Sequence, residues 1–249
     1  CKEVVYMIPK EQGVELITQQ RPLKLQETMK KVTLAVRKNR MARVWQQLGL
    51  CSADQYAFLK GKSTMQPAMI KKLLLERAKH YGLPMVMVDI DLFKAYDSVD
   101  RWVKEMALRR LGLDYEFIDY LLEFDRRNEQ VVRTAYGDST SFTSERATVP
   151  QGGVESCLVF VSVVDWMLAC MRRYSTDPVR LQVGEGEDVT VDATVYADDV
   201  SMYQGSVAAA QHMVLGLELF CGLTGMRINA KKCRWTATCD VSPGASGSG

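Results

Sequence analysis

Two adjacent carboxylates, Asp198 and Asp199, close the alternating, β-branched run Val189-Thr-Val-Asp-Ala-Thr-Val-Tyr-Ala-Asp-Asp-Val200. The alternation predicts a strand over Val189 to Val195 that leads into a tight turn. Neighbouring side chains on a strand point to opposite faces, so only a turn lets both acids approach one place. A divalent cation is the usual reason to gather them. A solvated hairpin tip is the plain alternative, and the dipeptide alone does not choose. A second acidic segment bears on that choice. Pro84-Met-Val-Met-Val-Asp89-Ile-Asp91-Leu-Phe-Lys-Ala-Tyr96-Asp97 opens with a short apolar run that predicts a buried strand. It delivers Asp89 and Asp91, two apart and therefore on one face, at the strand's end. Asp97 falls in the first turn of a helix predicted to continue through Trp102 and Leu111, where capping or dipole complementation is the preferred reading.

The 249 residues allow one large domain or two small ones, and 47% hydrophobic with 25% charged residues is ordinary globular composition. The longest apolar stretch, Cys157 to Cys170, is broken by Ser162 and Asp165. It falls short of the roughly 20 residues that cross a bilayer, so it reads as a buried helix and no membrane partner is expected. No signal peptide is visible, and a start at Cys1 rather than Met suggests a piece of a longer protein. The seven cysteines form no Cys-x-x-Cys pair and only two histidines are present, which speaks against zinc and for reduced thiols inside a cell. Net charge is only +2, but residues 1–80 hold 16 Lys and Arg against 6 acids, while the remainder is acidic. A basic lobe beside an acidic one suits gripping phosphate with one part and metal ions with the other; solvated Lys/Arg helix faces are the alternative.

Predicted elements alternate in type. A strand at Val4 to Ile8, a turn at Gly13 and a strand at Val14 to Thr18 come first. Helices are expected over Leu25 to Leu48 (stopped by Gly49), Thr64 to Tyr81, Asp114 to Arg127, Ser156 to Arg173 and Ser206 to Leu223. A hairpin turning at Gly137-Asp138, a strand at Val179 to Val183, a turn at Gly184 to Asp188 and an extended Met226 to Thr238 complete the pattern. The sum is an α+β fold: an antiparallel sheet carrying the acids, backed by helices, with a basic helical lobe. Gly61-Lys-Ser-Thr64 ends like a P-loop, but Tyr56 stands where that motif needs Gly. The segment suits template contact instead, with Phe58 available for stacking.

Several motifs in order resemble those of reverse transcriptases. They are Tyr6-Met-Ile-Pro-Lys10 with Arg21-Pro-Leu23, Gln55-Tyr-Ala-Phe58-Leu-Lys-Gly61-Lys-Ser63, Asp91-Leu-Phe-Lys-Ala95-Tyr96, Pro150-Gln151-Gly152-Gly-Val-Glu-Ser156, Tyr196-Ala-Asp198-Asp199, and Gly222-Leu-Thr-Gly-Met-Arg-Ile228-Asn229-Ala-Lys-Lys232. The spacers, 60 residues from Asp91 to Gln151 and 47 from Gln151 to Asp198, resemble the non-LTR retrotransposon branch.

That resemblance implies the fingers and palm of a right-hand polymerase, with 1–83 as fingers and 84–240 as palm. A fingers portion near 114–150 would interrupt the palm, 241–249 would be a flexible tail, and the thumb would be missing. It implies RNA-directed DNA synthesis on a primer 3′ end with two Mg²⁺ ions, Mn²⁺ being a possible substitute. Asp91, Asp198 and Asp199 would be catalytic and would hold metal together with Leu92. Lys232 would be the general acid for pyrophosphate, although Lys231 stands beside it. Lys10, Arg21, Ala95, Tyr96, Gln151 and Gly152 would contact the nucleotide. Tyr96 would sit under the sugar and exclude ribonucleotides, or else be a core aromatic at a helix start. Cys157 departs from the family, which usually has Pro there, and Glu155 is acidic near a template strand. Partners would be an RNA template, a DNA or RNA primer, dNTPs and the thumb and endonuclease of a longer polyprotein. The site of action would be intracellular, and nuclear during integration. A silent nucleic-acid-binding remnant, or a group II intron or telomerase-like enzyme, are the alternatives.

Overall fold

A computed structural model describes residues 2–9, 20–126, 129–143, 149–183 and 187–238. Along the chain run β1 (Lys2–Pro9), β2 (Gln20–Leu25), α1 (Thr28–Leu48), α2 (Met65–Tyr81), β3 (Val86–Ile90), α3 (Ala95–Ser98), α4 (Arg101–Arg110) and α5 (Tyr115–Arg126). Then come β4 (Glu129–Thr134), β5 (Gly137–Asp138), β6 (Phe142–Thr143), α6 (Ser156–Arg172), β7 (Val179–Val183), β8 (Glu187–Val191), β9 (Ala193–Tyr196), β10 (Asp199–Gln204), α7 (Val207–Thr224) and β11 (Arg234–Ala237). The chain forms two compact units, residues 1–51 with 94–163 and residues 52–93 with 164–249, so the division falls inside α6. The expected tail, the strand at 14–18 and the turn at Gly184 lie outside the described residues.

The first unit is built on a sheet of order β2-β1-β4-β5, with β6 also on β4; β1 runs antiparallel to β2 and parallel to β4. The helix expected from Leu25 begins at Thr28, because Gln20 to Leu25 pairs with β1 (Val4↔Leu25). Long-range ladder pairing here overrides local helix preference. α1 stops at Gly49, whose φ of 60° is easy for glycine, and the Gly49 N–H caps Trp45 O as the sequence predicts. The helix expected to run on to Leu111 is two helices, α3 and α4. Val99, fully buried, and Asp100 are both extended between them. The expected turn at Gly137-Asp138 sits two residues earlier: Thr134 pairs with Gly137 and Arg133 with Asp138.

The second unit carries an antiparallel sheet of order β11-β3-β10-β9 beside a separate β7-β8 ladder. The strand expected over Val189 to Val195 breaks at Asp192. There Arg172 Nε donates to both Asp192 carboxylate oxygens at 3.1 Å, and the same guanidinium binds Asp54 and Ser52 Oγ. Only Arg234–Ala237 of the segment expected to be extended is strand. Alternation sorts the faces of β3 and β10. Met87 and Tyr203 pack with Leu74 and Ala78 of α2, Met85 and Val191. Val86, Ile90, Val200 and Met202 are buried at the intervening positions, and α7 packs on these same two strands. α7 is long and apolar enough to span a membrane, with mean hydropathy 1.4, yet Met213, Leu217 and Phe220 are buried. It reads as the core helix of an α+β sheet.

Candidate active site

Register, rather than proximity in sequence, assembles the acids. Val200 pairs with Ile90 and Ser201 with Asp89, so Asp199 and Asp91 lie at the same end of the ladder, each one residue past the Ile90–Val200 pair. Asp199 in turn pairs with Tyr196 on β9. Since opposed residues on adjacent strands share a face, Tyr196, Asp199, Asp91, Asp89 and Ser201 stand on one side of the sheet. Asp198 is the second residue of a two-residue loop. Its predecessor Ala197 has φ of 56°, a region where Gly is the ordinary occupant. That backbone keeps the hairpin tight and leaves Asp198 and Asp199 exposed at its tip.

Each acid has a distinct environment. Asp89 is held by Lys71 of α2, whose ammonium lies 2.7 Å from both carboxylate oxygens, and by Ser201 Oγ at 2.6 Å. Asp91 Oδ1 accepts from Asn229 Nδ2 at 2.8 Å, and Lys232 Nζ stands 4.0 Å from Asp91 Oδ2. The backbone explains that meeting. Gly225 ends α7, Ile228 bridges to Leu92, and a turn in which Lys232 N–H donates to Asn229 O brings the chain back toward Asp91. Its neighbour Lys231 uses its carbonyl instead, which accepts from Arg234 Nη1 at 3.0 Å. Leu92 is buried, so any part in holding metal falls to its carbonyl.

Asp199 shows the electrostatic result. Lost hydration pushes its carboxyl up from the ordinary range, the charges of Asp198, Asp91 and Asp89 push the same way, and Lys71 pulls back. Among the described residues no three His, Cys, Asp or Glu side chains converge closely enough to hold an ion as they stand. The acids expected to hold metal are neighbours here without converging on one point. Asn229 occupies one Asp91 oxygen. The donors nonetheless fit a hard cation: they are carboxylate oxygens in excess of nearby positive charge.

The residues expected to contact nucleotide lie in the first unit. Tyr96 stacks on Phe160 with ring centroids 4.2 Å apart and planes 15° from parallel. Ala95 is buried. Gln151 Nε2 donates to both Asp97 oxygens at 3.2 Å, and Gln151 O accepts from Lys24 N–H of β2. Gly152 has φ of 98°, and a Cβ there would sit 2.8 Å from Leu23 Cδ1 and 3.0 Å from Lys24 O. Arg21 is exposed on β2 opposite Ile8, and Lys10 lies outside the described residues. Asp97 stands in the first turn of α3, where the dipole reading expects an acid. It orients Gln151, a role that sequence reading missed, as it missed Lys71, Ser201 and the bond from Asn229.

Carboxylates on neighbouring antiparallel strands, a lysine on the following turn and helices behind the sheet define a palm-type polymerase. Comparison narrows the class. Residues 8–242 match the family described as reverse transcriptase (RNA-dependent DNA polymerase), and the chain belongs to it. The chain is 24% identical over 249 residues to the Pol polyprotein of the type-1 retrotransposable element R2 of Popillia japonica, covering 97% of this chain and 32% of that protein. It is 23% identical over 231 residues to the transposon TX1 149 kDa protein of Xenopus laevis, covering 93% and 17%. The chain thus spans a third or less of these relatives, and the expected likeness to the non-LTR branch holds in the R2 element. The structure resembles that of apo telomerase from Candida tropicalis truncated from its C-terminal domain, with TM-score 0.67 and 10% identity over 98% of this chain and 51% of the other. Telomerase from Candida albicans, solved with a fragment of telomeric RNA, gives 0.63 and 12% over 97% and 42%. At such identity the likeness is one of fold, and it fits the expected fingers-and-palm α+β class.

Proposed function

We propose that this chain is the polymerase portion of a longer retrotransposon protein and adds dNTPs to a primer 3′ end on an RNA template. The observation that carries the reading is that Asp91 and Asp199 stand at one sheet end, each next to the Ile90–Val200 pair, with Asp198 at the hairpin tip and Lys232 4.0 Å from Asp91. Asp91, Asp198, Asp199 and the Leu92 carbonyl would hold two divalent ions, Mg²⁺ or Mn²⁺. When bound, such ions supply charge neutralisation and Lewis acidity at the attacking and leaving oxygens.

This chain's own groups do the rest. Asn229 orients Asp91, and Lys71 with Ser201 fixes Asp89 so that its charge stays beside the site. The Lys232 ammonium, on its turn, donates a proton to the departing pyrophosphate. Tyr96, fixed by its stack on Phe160, disfavours a 2′ hydroxyl, and Gln151, fixed by Asp97, meets the nucleotide edge. Lys10 and Arg21 are assigned to the triphosphate, Ala95 and Gly152 to close backbone approach, residues 1–83 and the stretch near 114–150 to fingers, and 84–240 otherwise to palm. Action inside the cell, and in the nucleus during integration, follows from a DNA product destined for a chromosome.

A primer-extension assay with RNA template, Mg²⁺ and dNTPs tests the proposal. Extension by the wild type and its loss in Asp198→Asn are expected. Template and primer binding with no extension, even with the flanking segments of the parent protein restored, would instead identify a silent remnant.

A further inference from the structure

Glu155 is an acid in a turn expected to lie beside a template strand, where negative charge is unwelcome. The structure gives it another task. Gln26, the residue after β2, is only 5% exposed and commits both ends of its amide to that turn. Its Oε1 accepts from Val154 N–H at 3.4 Å, and its Nε2 donates to Glu155 Oε1 at 3.1 Å and Oε2 at 3.5 Å. An ionised carboxylate only accepts, so the amide lies one way round; flipped, its oxygen would face the Glu155 charge. Gly153 makes the space. A Cβ there would strike Ser156 Oγ and come within 3.0 Å of Gln26 Nε2 and 3.1 Å of Glu155 Oε1.

These bonds continue a series. Lys24 N–H donates to Gln151 O at 2.9 Å, and Gly152 lies so close that a Cβ on it would meet Leu23 and Lys24 O. The end of β2 and the residue after it therefore grip the turn at both of its ends, at Gln151 and at Glu155. Two consecutive glycines, Gly152 and Gly153, give this stretch little shape of its own, so long-range bonds must fix it.

We propose that Gln26 and Glu155 form a positioning pair that holds the Gln151-Gly152 turn in its nucleotide-binding shape, so that affinity for the incoming dNTP depends on this buried bond. This deepens the polymerase reading and rests on it. The pair acts through Gln151, whose carbonyl β2 holds and whose side-chain amide Asp97 orients. The reacting carboxylates stand on a different sheet, so slackening the turn weakens binding and spares the chemical step.

Reversing the polarity of the pair tests it in the full chain. In Gln26→Glu two carboxylates face each other. KM for dNTP should rise about tenfold, the worth of a hydrogen bond to a charged group, with kcat changed less than about twofold. Amides of 151–156 should exchange hydrogen faster in the same variant. Adding Glu155→Gln rebuilds the pair with donor and acceptor exchanged, because the introduced carboxylate accepts both from Val154 N–H and from the introduced amide. This double variant should recover KM and exchange together. Gln26→Met keeps the bulk without either bond; it should raise KM as Gln26→Glu does, and it serves if the facing carboxylates prevent folding. A wild-type KM in Gln26→Met, or a folded double variant that recovers its melting temperature but not its KM, overturns the proposal and leaves the polymerase reading intact. If the wild type never extends a primer, the polymerase reading falls. Faster exchange at 151–156 in Gln26→Met then still upholds the pair as a clamp on the turn, and unchanged exchange overturns it.

Discussion

Two ion clusters in this molecule handle charge in opposite ways. In the first unit Lys30 and Glu3 meet at 2.8 Å with side chains only 3% exposed, a buried cation matched to a buried anion. In the second unit Asp91, Asp198 and Asp199 share one sheet end, with Lys232 at 4.0 Å from one of them and Lys71 committed to Asp89. The first arrangement is satisfied by the chain itself. The second is in deficit, and lost hydration, reinforced by that deficit, raises the proton affinity of Asp199. Charge that the fold leaves unmatched at a surface marks where a cation is meant to arrive, whereas matched charge marks architecture.

Substitutions can break that contrast. Asp198→Asn should abolish primer extension, by on the order of 10³-fold or more in kcat, without lowering the melting temperature. A melting loss comparable to that of a core mutant would mean the acid is structural. Glu3→Ala should do the reverse. It takes the carboxylate from a buried Lys30 and should cost about 3 kcal/mol in denaturant unfolding. Gly152→Ala forces a Cβ against Leu23 and Lys24 O at a positive φ and should destabilise by about 1–3 kcal/mol, with Gln151 displaced and KM for dNTP raised.

Finer tests sharpen it. Tyr96→Ala should relax discrimination against ribonucleotides by about tenfold, measured as a ratio of kcat/KM values. The smallest effect concerns Asp199. Because its folded carboxyl is raised above the ordinary range, the metal-free protein loses stability as pH rises from that range through the raised value. Asp199→Asn should therefore melt slightly higher than wild type in chelator at neutral pH, and the difference should vanish as pH falls below the carboxylate range.

Much of the second unit's site was legible because alternation is a local signal. Two acids in Asp89-Ile-Asp91 share a face whatever the tertiary structure, and an alternating run ending in Asp-Asp needs a turn. What stayed hidden depends on partners distant in the chain. Lys71 finds Asp89 from a helix, Asn229 reaches Asp91 across 138 positions, and Gln151 binds Asp97 across 54. No periodicity encodes those meetings. The strand break at Asp192 was equally invisible, since its cause is Arg172, and the late start of α1 reflects a ladder with β1. Lys232 was named by resemblance to a family motif, and the turn after Ile228 is what brings its ammonium to 4.0 Å from Asp91.

The two-residue connection between Tyr196 and Asp199 has a hereditary corollary. A single extra codon there would slip the ladder and rotate the Asp199 side chain through the sheet, toward the side where Val200 now lies buried. Copies of such an element altered by one in-frame triplet at that spot should remain expressible yet inert. Such a three-nucleotide insertion, alongside the single-letter changes that remove an acid, would divide living lineages from fossils.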